Sequence, residues 1–205
     1  GQMSLFKNTN GELNTASGSK SLYFNTTGDK NTASGHMALY ENESGGHNTA
    51  IGNEASRKGT TGSYNTAIGN ETLHDNTIGS YNTAIGNEAN VGNNYLTNAT
   101  AIGHGAIVSA NNKIRLGNTS VSVIEGQVAF SNSSDRRLKK NIVITKYGLD
   151  TILKLKPVDY QMISNNLYQS GFIAQDLKLL IPEAITGNEG NIEKGETLGI
   201  TYATL

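Results

Sequence analysis

The sequence contains no cysteine, and neither of its two prolines, Pro157 and Pro182, lies in the first three quarters of the chain. Without cysteine, disulfides, thiol catalysis and zinc sites with thiolate ligands are excluded. Because 16 Lys+Arg stand against 17 Asp+Glu, the net charge of -1 favours neither nucleic-acid nor membrane-surface binding. No segment approaches the roughly 20 apolar residues of a transmembrane helix, and the chain start lacks the apolar core of a signal peptide. We therefore expect no membrane insertion and no nucleic-acid partner.

The chain before residue 131 is rich in Gly, Asn, Thr, Ser and Ala, and it contains a repeat with a constant period of 17 residues. Asn-Thr-Ala begins five copies, and a sixth copy keeps Thr-Ala-Ile-Gly at positions 100–103. The five copies start at Asn14, Asn31, Asn48, Asn65 and Asn82. Glycines close the six copies at Gly18, Gly35, Gly52, Gly69, Gly86 and Gly103, and second glycines follow at Gly28, Gly45, Gly62 and Gly79. Each unit is thus predicted to have two glycine corners with two short segments between them.

Two corners and two short segments per period indicate one coil of a parallel β-solenoid. Glycine at a corner can take the positive φ that other residues resist. Thr and Ile favour extended backbone, and the small Ala between them lets the facing sides of the coil approach closely. Strands stacked about 4.8 Å apart would make six coils rise roughly 29 Å. Since one coil has too little apolar content for a core of its own, we expect several chains to share one interior.

The repeat offers few candidate sites. Its four histidines lack the spacing of metal ligands, the glycines do not form a phosphate loop, and neither a metal nor a cofactor is expected. Two tyrosine pairs, each with its members one repeat apart, are predicted to form ladders between coils, with a glycan-binding stripe as the alternative. A glutamate row, also with one repeat between members, is expected to be solvated and not to form a catalytic pair. These residues are His36, His47, His74 and His104, the pairs Tyr23/Tyr40 and Tyr64/Tyr81, and Glu54, Glu71 and Glu88.

The unit Asn-Thr-Ala-Ile-Gly-Asn-Glu-Ala, followed by a later glycine, resembles the head repeats of trimeric YadA-like adhesins and similar repeats in viral fibre proteins. The resemblance covers about half the chain, although the repeat unit is somewhat longer here than the usual adhesin unit. It implies a left-handed parallel β-roll, with three rolls packed side by side around a three-fold axis. We assign residues 1–110 to this trimeric solenoid shaft.

Residues 111–133 are predicted to connect the shaft to the rest of the chain. Alternating polar and apolar residues at 112–118, followed by Val121, Val123 and Ile124, predict two or three short strands that leave the solenoid. The polar residues that follow, up to Ser133, suit an accessible peptide bond.

Residues 134–205 have the pattern of a small α+β domain. A helix is predicted over 147–155 and ended by Pro157, then a strand over 158–163 and a turn at Asn165–Asn166. A second helix is predicted from the stretch 171–177 to about Leu180, and a last strand over 198–202. Because so short a segment can bury only a small core of its own, this domain too is expected to trimerise.

Ser134 stands five positions before Lys139 in a cationic stretch, Ser-Asp-Arg-Arg-Leu-Lys-Lys-Asn-Ile at 134–142. A serine and a lysine suffice for nucleophilic chemistry when the lysine is neutral and takes the hydroxyl proton. On spacing alone, a basic turn between two domains is the alternative. Three further stretches accompany it: Leu-Lys-Pro-Val-Asp-Tyr at 155–160, Gly-Phe-Ile-Ala-Gln-Asp-Leu at 171–177 and Ile-Pro-Glu-Ala at 181–184.

Together these four motifs resemble the self-cleaving intramolecular chaperone domain of phage tailspikes and tail fibres, which also occurs in endosialidases and in the myelin regulatory factor family. The resemblance implies Ser134 as nucleophile, Lys139 as general base, a scissile bond between Ser133 and Ser134, and Asp135 and Arg137 as site-organising residues. It also implies a single-turnover serine autoendopeptidase that trimerises and is then released. The family normally continues into a C-terminal helix beyond the point matching Leu205, so weaker trimerisation and cleavage are expected for a chain ending there.

The combined expectation is a structural host-attachment fibre segment of a virion, a homotrimer that contacts a host cell-surface receptor, with a glycan as one candidate. The main alternative is a trimeric adhesin head on the bacterial cell surface, without autoproteolysis. A membrane-released transcription factor would need a basic DNA-binding domain and a membrane helix, and a glycan-cleaving tailspike would need paired carboxylates in a cleft. The sequence supplies neither set of features.

Overall fold

A computed structural model of the chain describes residues 1–127, 133–163, 166–192 and 196–201. Two compact units are present: a repeat unit, Gly1–Asn118, and a C-terminal unit that begins at Thr119. The first is a parallel β-solenoid of repeating coils and the second is a small α+β unit, so the predicted fold class is confirmed for a single chain.

The solenoid is organised by a seven-stranded parallel sheet with one short strand per coil. Its strands are β1 (Thr15–Ser17), β2 (Thr32–Ser34), β3 (Thr49–Ile51), β4 (Thr66–Ile68), β5 (Thr83–Ile85), β7 (Thr100–Ile102) and β9 (Ile114–Leu116). A second, two-stranded parallel sheet pairs β6 (Asn90–Val91) with β8 (Ile107–Val108). Residues in the large sheet pair with the equivalent residue of the next coil, for example Ala50 with Ala67. Only the last step along the chain is shorter, since Thr100 pairs with Ile114.

The solenoid core is narrow because small side chains face inward. The central alanine of β2, β3, β4, β5 and β7 is fully buried. Three leucines in the turns after β1, β2 and β4 are also fully or almost fully buried: Leu22, Leu39 and Leu73. The outward residue of the same strands is isoleucine from β3 onward, and Ile51, Ile68, Ile85 and Ile102 are 37–43% exposed. A continuous apolar row therefore runs along the outer face of the sheet.

The prediction of two glycine corners per coil that use positive φ is only half right. The glycine after each strand has positive φ, as at Gly52 (137°), but the second glycines do not, and the chain opposite the large sheet is mostly turns. A Cβ on Gly45 would overlap the carbonyl oxygen of Gly62 in the next coil, so these second glycines serve close approach. Left-handed backbone on that side is supplied instead by non-glycine residues such as Leu39 (50°) and Tyr64 (59°).

Two internal asparagine ladders join successive coils. In the first, the Asn48 side chain accepts from the Asn65 backbone N–H (2.9 Å) and donates to the Gly62 carbonyl (2.8 Å), and the same pair of bonds recurs from coil to coil. In the second, Asn42 donates to Asn25 (2.7 Å). That ladder is interrupted at Gly59, which occupies the position equivalent to Asn42 one coil later, and the buried Asn42 Oδ1 has no hydrogen-bond partner among the described residues.

The C-terminal unit is built from short elements. They are a 3-10 turn (Arg136–Leu138), α1 (Leu149–Ile152), β10 (Val158–Gln161), β11 (Tyr168–Gly171), α2 (Ala174–Leu180), a second 3-10 turn (Pro182–Ala184), β12 (Ile185–Thr186) and β13 (Gly199–Ile200). β10 and β11 form an antiparallel hairpin, and β12 pairs antiparallel with β13. Leu177, Ile181 and Ala184 form the buried centre of the unit.

Most predicted C-terminal elements are found, in shorter form. Both helices and the strand after Pro157 are confirmed, whereas β11 and β12 were not predicted. The turn is marked by Asn166, with φ 57°; Asn165, like the end of the last predicted strand, lies outside the described residues.

In the connecting stretch the strand predicted within 112–118 is present as Ile114–Leu116, but its predicted course and the strands predicted after it are wrong. Ile114–Leu116 does not leave the solenoid, because it pairs with β7 as the last strand of the sheet. Val121, Val123 and Ile124 lie in chain without strand structure. None of the described helices has the length and apolarity to cross a membrane.

Candidate autoproteolytic site

Ser134 and Lys139 lie side by side in the C-terminal unit, ahead of its first helix, α1. The Lys139 ammonium nitrogen donates a hydrogen bond to Ser134 Oγ over 2.7 Å. The 3-10 turn Arg136–Leu138 lies between them and folds the chain back, and its last hydrogen bond runs from the Lys139 backbone N–H to the Arg136 carbonyl (3.1 Å). A five-residue separation is thereby converted into direct contact between a hydroxyl and an amine.

Asp135 and Arg137 hold this turn in shape. The Asp135 carboxylate caps the turn by accepting from the Arg137 backbone N–H (2.8 Å), and it also accepts from Nε (3.1 Å) and Nη2 (2.7 Å) of the same guanidinium. Hydrogen bonding to the Arg137 side chain lowers the pKa of Asp135, and the same contact raises the pKa of Arg137. Because the charged forms are favoured, the pair stays ionised throughout the neutral range.

The site is open to solvent and positively charged in the single chain. Ser133, Ser134 and Lys139 are exposed. Among the described residues, no carboxylate forms an ion pair with Arg136, Lys139 or Lys140. Ser134 and Lys139 therefore lie among several cations. Of the arginines in this stretch, Arg137 has its charge balanced by Asp135.

A second polar cluster joins distant parts of the C-terminal unit, and sequence reasoning missed it. The Glu183 carboxylate accepts hydrogen bonds from the Tyr147 hydroxyl and from the Lys146 ammonium (3.0 Å). The Tyr147 hydrogen bond is the largest of the influences that lower the Glu183 pKa from its ordinary 4.5 to about 2, and Lys146 adds to it. We call Lys146, Tyr147 and Glu183 the carboxylate clamp. Glu183 lies 36 and 37 positions along the chain from its two partners, so no local spacing signals the cluster.

The predicted tyrosine ladders are present in the repeat unit. Tyr64 and Tyr81 stack with ring centroids 5.0 Å apart and planes within 1°, and His47 continues the stack at 4.6 Å. Tyr23 and Tyr40 lie 5.4 Å apart with a tilt of 30°. Since both faces of the Tyr64 ring are covered by neighbouring rings, this row presents ring edges outward, which is unfavourable for stacking a sugar.

The remaining histidine and glutamate positions form surface rows. His36 and His104 occupy the same repeat position, and hydrogen bonds link them to asparagines of adjacent coils at 3.2 Å. Glu54 forms an ion pair with Arg57 (3.4 Å). In the described part of the chain, no three His, Asp or Glu side chains are grouped closely enough to hold a metal ion.

The fold and this site define a β-solenoid joined to a small α+β unit that contains a serine–lysine contact. Residues 134–186 match the family model described as chaperone of endosialidase. That family comprises self-cleaving, serine-peptidase-like chaperone domains. The match begins at Ser134, the residue that Lys139 contacts. No curated protein and no solved structure matches the chain.

Proposed function

We propose that this chain is a structural segment of a host-attachment fibre whose C-terminal domain directs trimerisation and then removes itself by cutting between Ser133 and Ser134. The fibre is a homotrimer on a virion, and its outer surface contacts a host cell-surface receptor. The observation that carries the proposal is the 2.7 Å hydrogen bond between Lys139 Nζ and Ser134 Oγ. It supports a nucleophile–base pair at the first residue of the chaperone match.

The proposed chemistry is an acyl shift followed by hydrolysis. Neutral Lys139 takes the Ser134 hydroxyl proton while Oγ forms a bond to the Ser133 carbonyl carbon. The bond between that carbon and the Ser134 nitrogen then breaks, and the nitrogen receives the proton and becomes a free amine. Water hydrolyses the resulting ester, leaving a carboxylate on Ser133 and restoring the Ser134 hydroxyl. Each chain is cut once, so the domain acts as a single-turnover serine autoendopeptidase.

Assembly provides a reason for the cut to come late. Lysine is a base only when neutral, and removal from water favours the neutral form. Lys139 is exposed in the single chain, so contacts made in the trimer are the expected source of desolvation. Cleavage would then follow association, not precede it.

The need for a chaperone follows from the repeat itself. Coils with identical Thr-Ala-Ile strands pair equally well after a shift of one whole repeat, so chains associating through the row of exposed isoleucines can join in the wrong register. A C-terminal unit with a unique sequence aligns the chains before their solenoid shafts associate. Its later removal leaves the shaft kinetically trapped.

The test is a time course of intact mass and denaturing gel electrophoresis on the wild-type chain and on Ser134→Ala, Lys139→Ala and Lys140→Ala variants. We expect a fragment with a new N-terminus at Ser134 from the wild type and from the Lys140→Ala control, and none from the other two. Hydroxylamine should trap the ester as a hydroxamate on Ser133. An intact wild-type chain, or the same cut in Ser134→Ala, contradicts the proposal.

A further inference from the structure

The C-terminal unit exposes an apolar helix face. Leu149, Ile152 and Leu153 follow the i, i+3, i+4 spacing that places side chains on one side of a helix. Their side chains are 68%, 60% and 74% exposed. Three large apolar side chains, two on α1 and one on Leu153 just after it, thus contact little of their own chain. Asp150, on the same helix, is also exposed and forms no ion pair with a described residue.

The same unit contains an open apolar groove of about 300 Å³. Its apolar floor includes Leu155, Phe172 and Leu177, with Leu179 at the edge, 84% exposed. The charged side chains of the lining are Lys154, Lys156 and Asp176, and neither lysine forms an ion pair with any described residue. The groove therefore combines an apolar floor with a net positive charge.

We propose that α1 of one copy of this chain docks in the groove of the next copy. The face formed by Leu149, Ile152 and Leu153 supplies apolar side chains for the groove, and Asp150 brings a negative charge that offsets the excess of lysine there. The contact is heterologous, because each copy donates a helix to one neighbour and accepts a helix from another. This inference rests on the proposed homotrimer and names the surfaces that hold its C-terminal units together.

The position of the two surfaces favours a small ring. The groove lining begins at Lys154, the residue after Leu153, so the donated face and the accepting groove are neighbours on the same copy. Successive copies joined through adjacent surfaces must turn sharply relative to one another. A heterologous contact gives a ring when its rotation closes, and a large rotation at each contact closes the ring after few copies.

The absence of cysteine permits a direct test with single-cysteine chains of different mass. In the full-length Ser134→Ala chain, Leu153→Cys is introduced on a tagged copy and Leu179→Cys on an untagged copy, and the two are co-expressed and oxidised. We expect a disulfide-linked dimer of the two masses as the main cross-linked product. Each variant expressed alone should stay uncross-linked. Ile144→Cys, at an exposed residue of the same unit, replaces Leu153→Cys as the matched control.

Charge reversal gives an independent readout of the same contact. Asp150→Lys or Lys156→Glu should each weaken C-terminal association roughly two- to five-fold, as expected for an exposed ion pair. The double variant should recover most of the loss.

The outcomes separate this inference from the proposed function. A trimer that cleaves itself but gives no Leu153→Cys/Leu179→Cys product overturns the docking and leaves the proposed function standing. Cross-linking of Leu153→Cys to itself would show a symmetric helix pair. Efficient cross-linking of Ile144→Cys to Leu179→Cys would show that the chain around Ile144, and not α1, lies at the groove. Either result also overturns the docking. A monomeric chain that stays uncut overturns both proposals.

Discussion

The repeat unit and the C-terminal unit achieve order in opposite ways. In the solenoid, every coil repeats the same few contacts: a strand pair, a buried alanine and an asparagine bonded to the next coil. In its described residues, the C-terminal unit has two small antiparallel strand pairs and a centre of three buried residues. Periodic contacts spread stability along the chain, but they specify the register between associating chains poorly. In the proposed homotrimer, the C-terminal unit with its unique sequence would set the register, and neighbouring copies would supply part of its burial.

The largest expected effect comes from adding one carbon to a solenoid corner. Gly52 has φ 137°, and a Cβ there would overlap the carbonyl oxygen of Gly69 in the next coil. In the Ser134→Ala chain, Gly52→Ala should lower the free energy of unfolding of the repeat unit by roughly 3 to 5 kcal/mol, from backbone strain and overpacking. Denaturant unfolding followed by circular dichroism measures it.

Gly148→Ala is the control for that change. Gly148 lies in the C-terminal unit with nothing within 4 Å of an added Cβ, so the change should stay within about 0.5 kcal/mol. A similar small loss for Gly52→Ala would show that the coils tolerate separation and would weaken the contrast between the two units.

A smaller loss of unfolding free energy is expected when one asparagine of the first internal ladder is removed. Asn48→Ala leaves the buried Asn65 N–H and the Gly62 carbonyl without their partner, which should cost about 2 to 4 kcal/mol. Asn53→Ala is matched in residue type and also removes side-chain bonds to adjacent coils, but those bonds are exposed. It should cost less than about 1 kcal/mol, and equal losses in the two variants would contradict a special role for the buried ladder.

The smallest effect concerns the carboxylate clamp and is seen as a pH dependence. Because folding lowers the Glu183 pKa from 4.5 to about 2, the clamp contributes stability above about pH 4.5 and loses it as the pH falls toward 2. Calorimetry between pH 6 and pH 2.5 should show the thermal midpoint of the C-terminal unit falling more steeply in the Ser134→Ala chain than after a further Glu183→Gln change. Tyr147→Phe should give an intermediate slope. Parallel slopes in all three would exclude a stabilising clamp.

Sequence reasoning works well where a contact is local or periodic. The constant repeat spacing predicts the coil, its strand and its buried alanine, because a repeat that returns to the same position stacks like on like. The pairing of Ser134 with Lys139 was implied by the resemblance of the four motifs and not by their spacing alone, and a single 3-10 turn brings the two side chains into contact. Ile114 was misassigned because the last coil is shorter than the others, which breaks the period at that point.

The sequence alone therefore predicts the repeating coil, because one fixed period specifies it, and the resemblance of the four motifs implies the pairing of Ser134 with Lys139. Only the tertiary structure decided that leucine and tyrosine supply left-handed turns, that Glu183 meets Lys146 and Tyr147, and that α1 is left exposed beside an apolar groove. These features depend on segments brought together by packing, and contacts between distant parts of the chain leave no period or spacing in the sequence to reveal them.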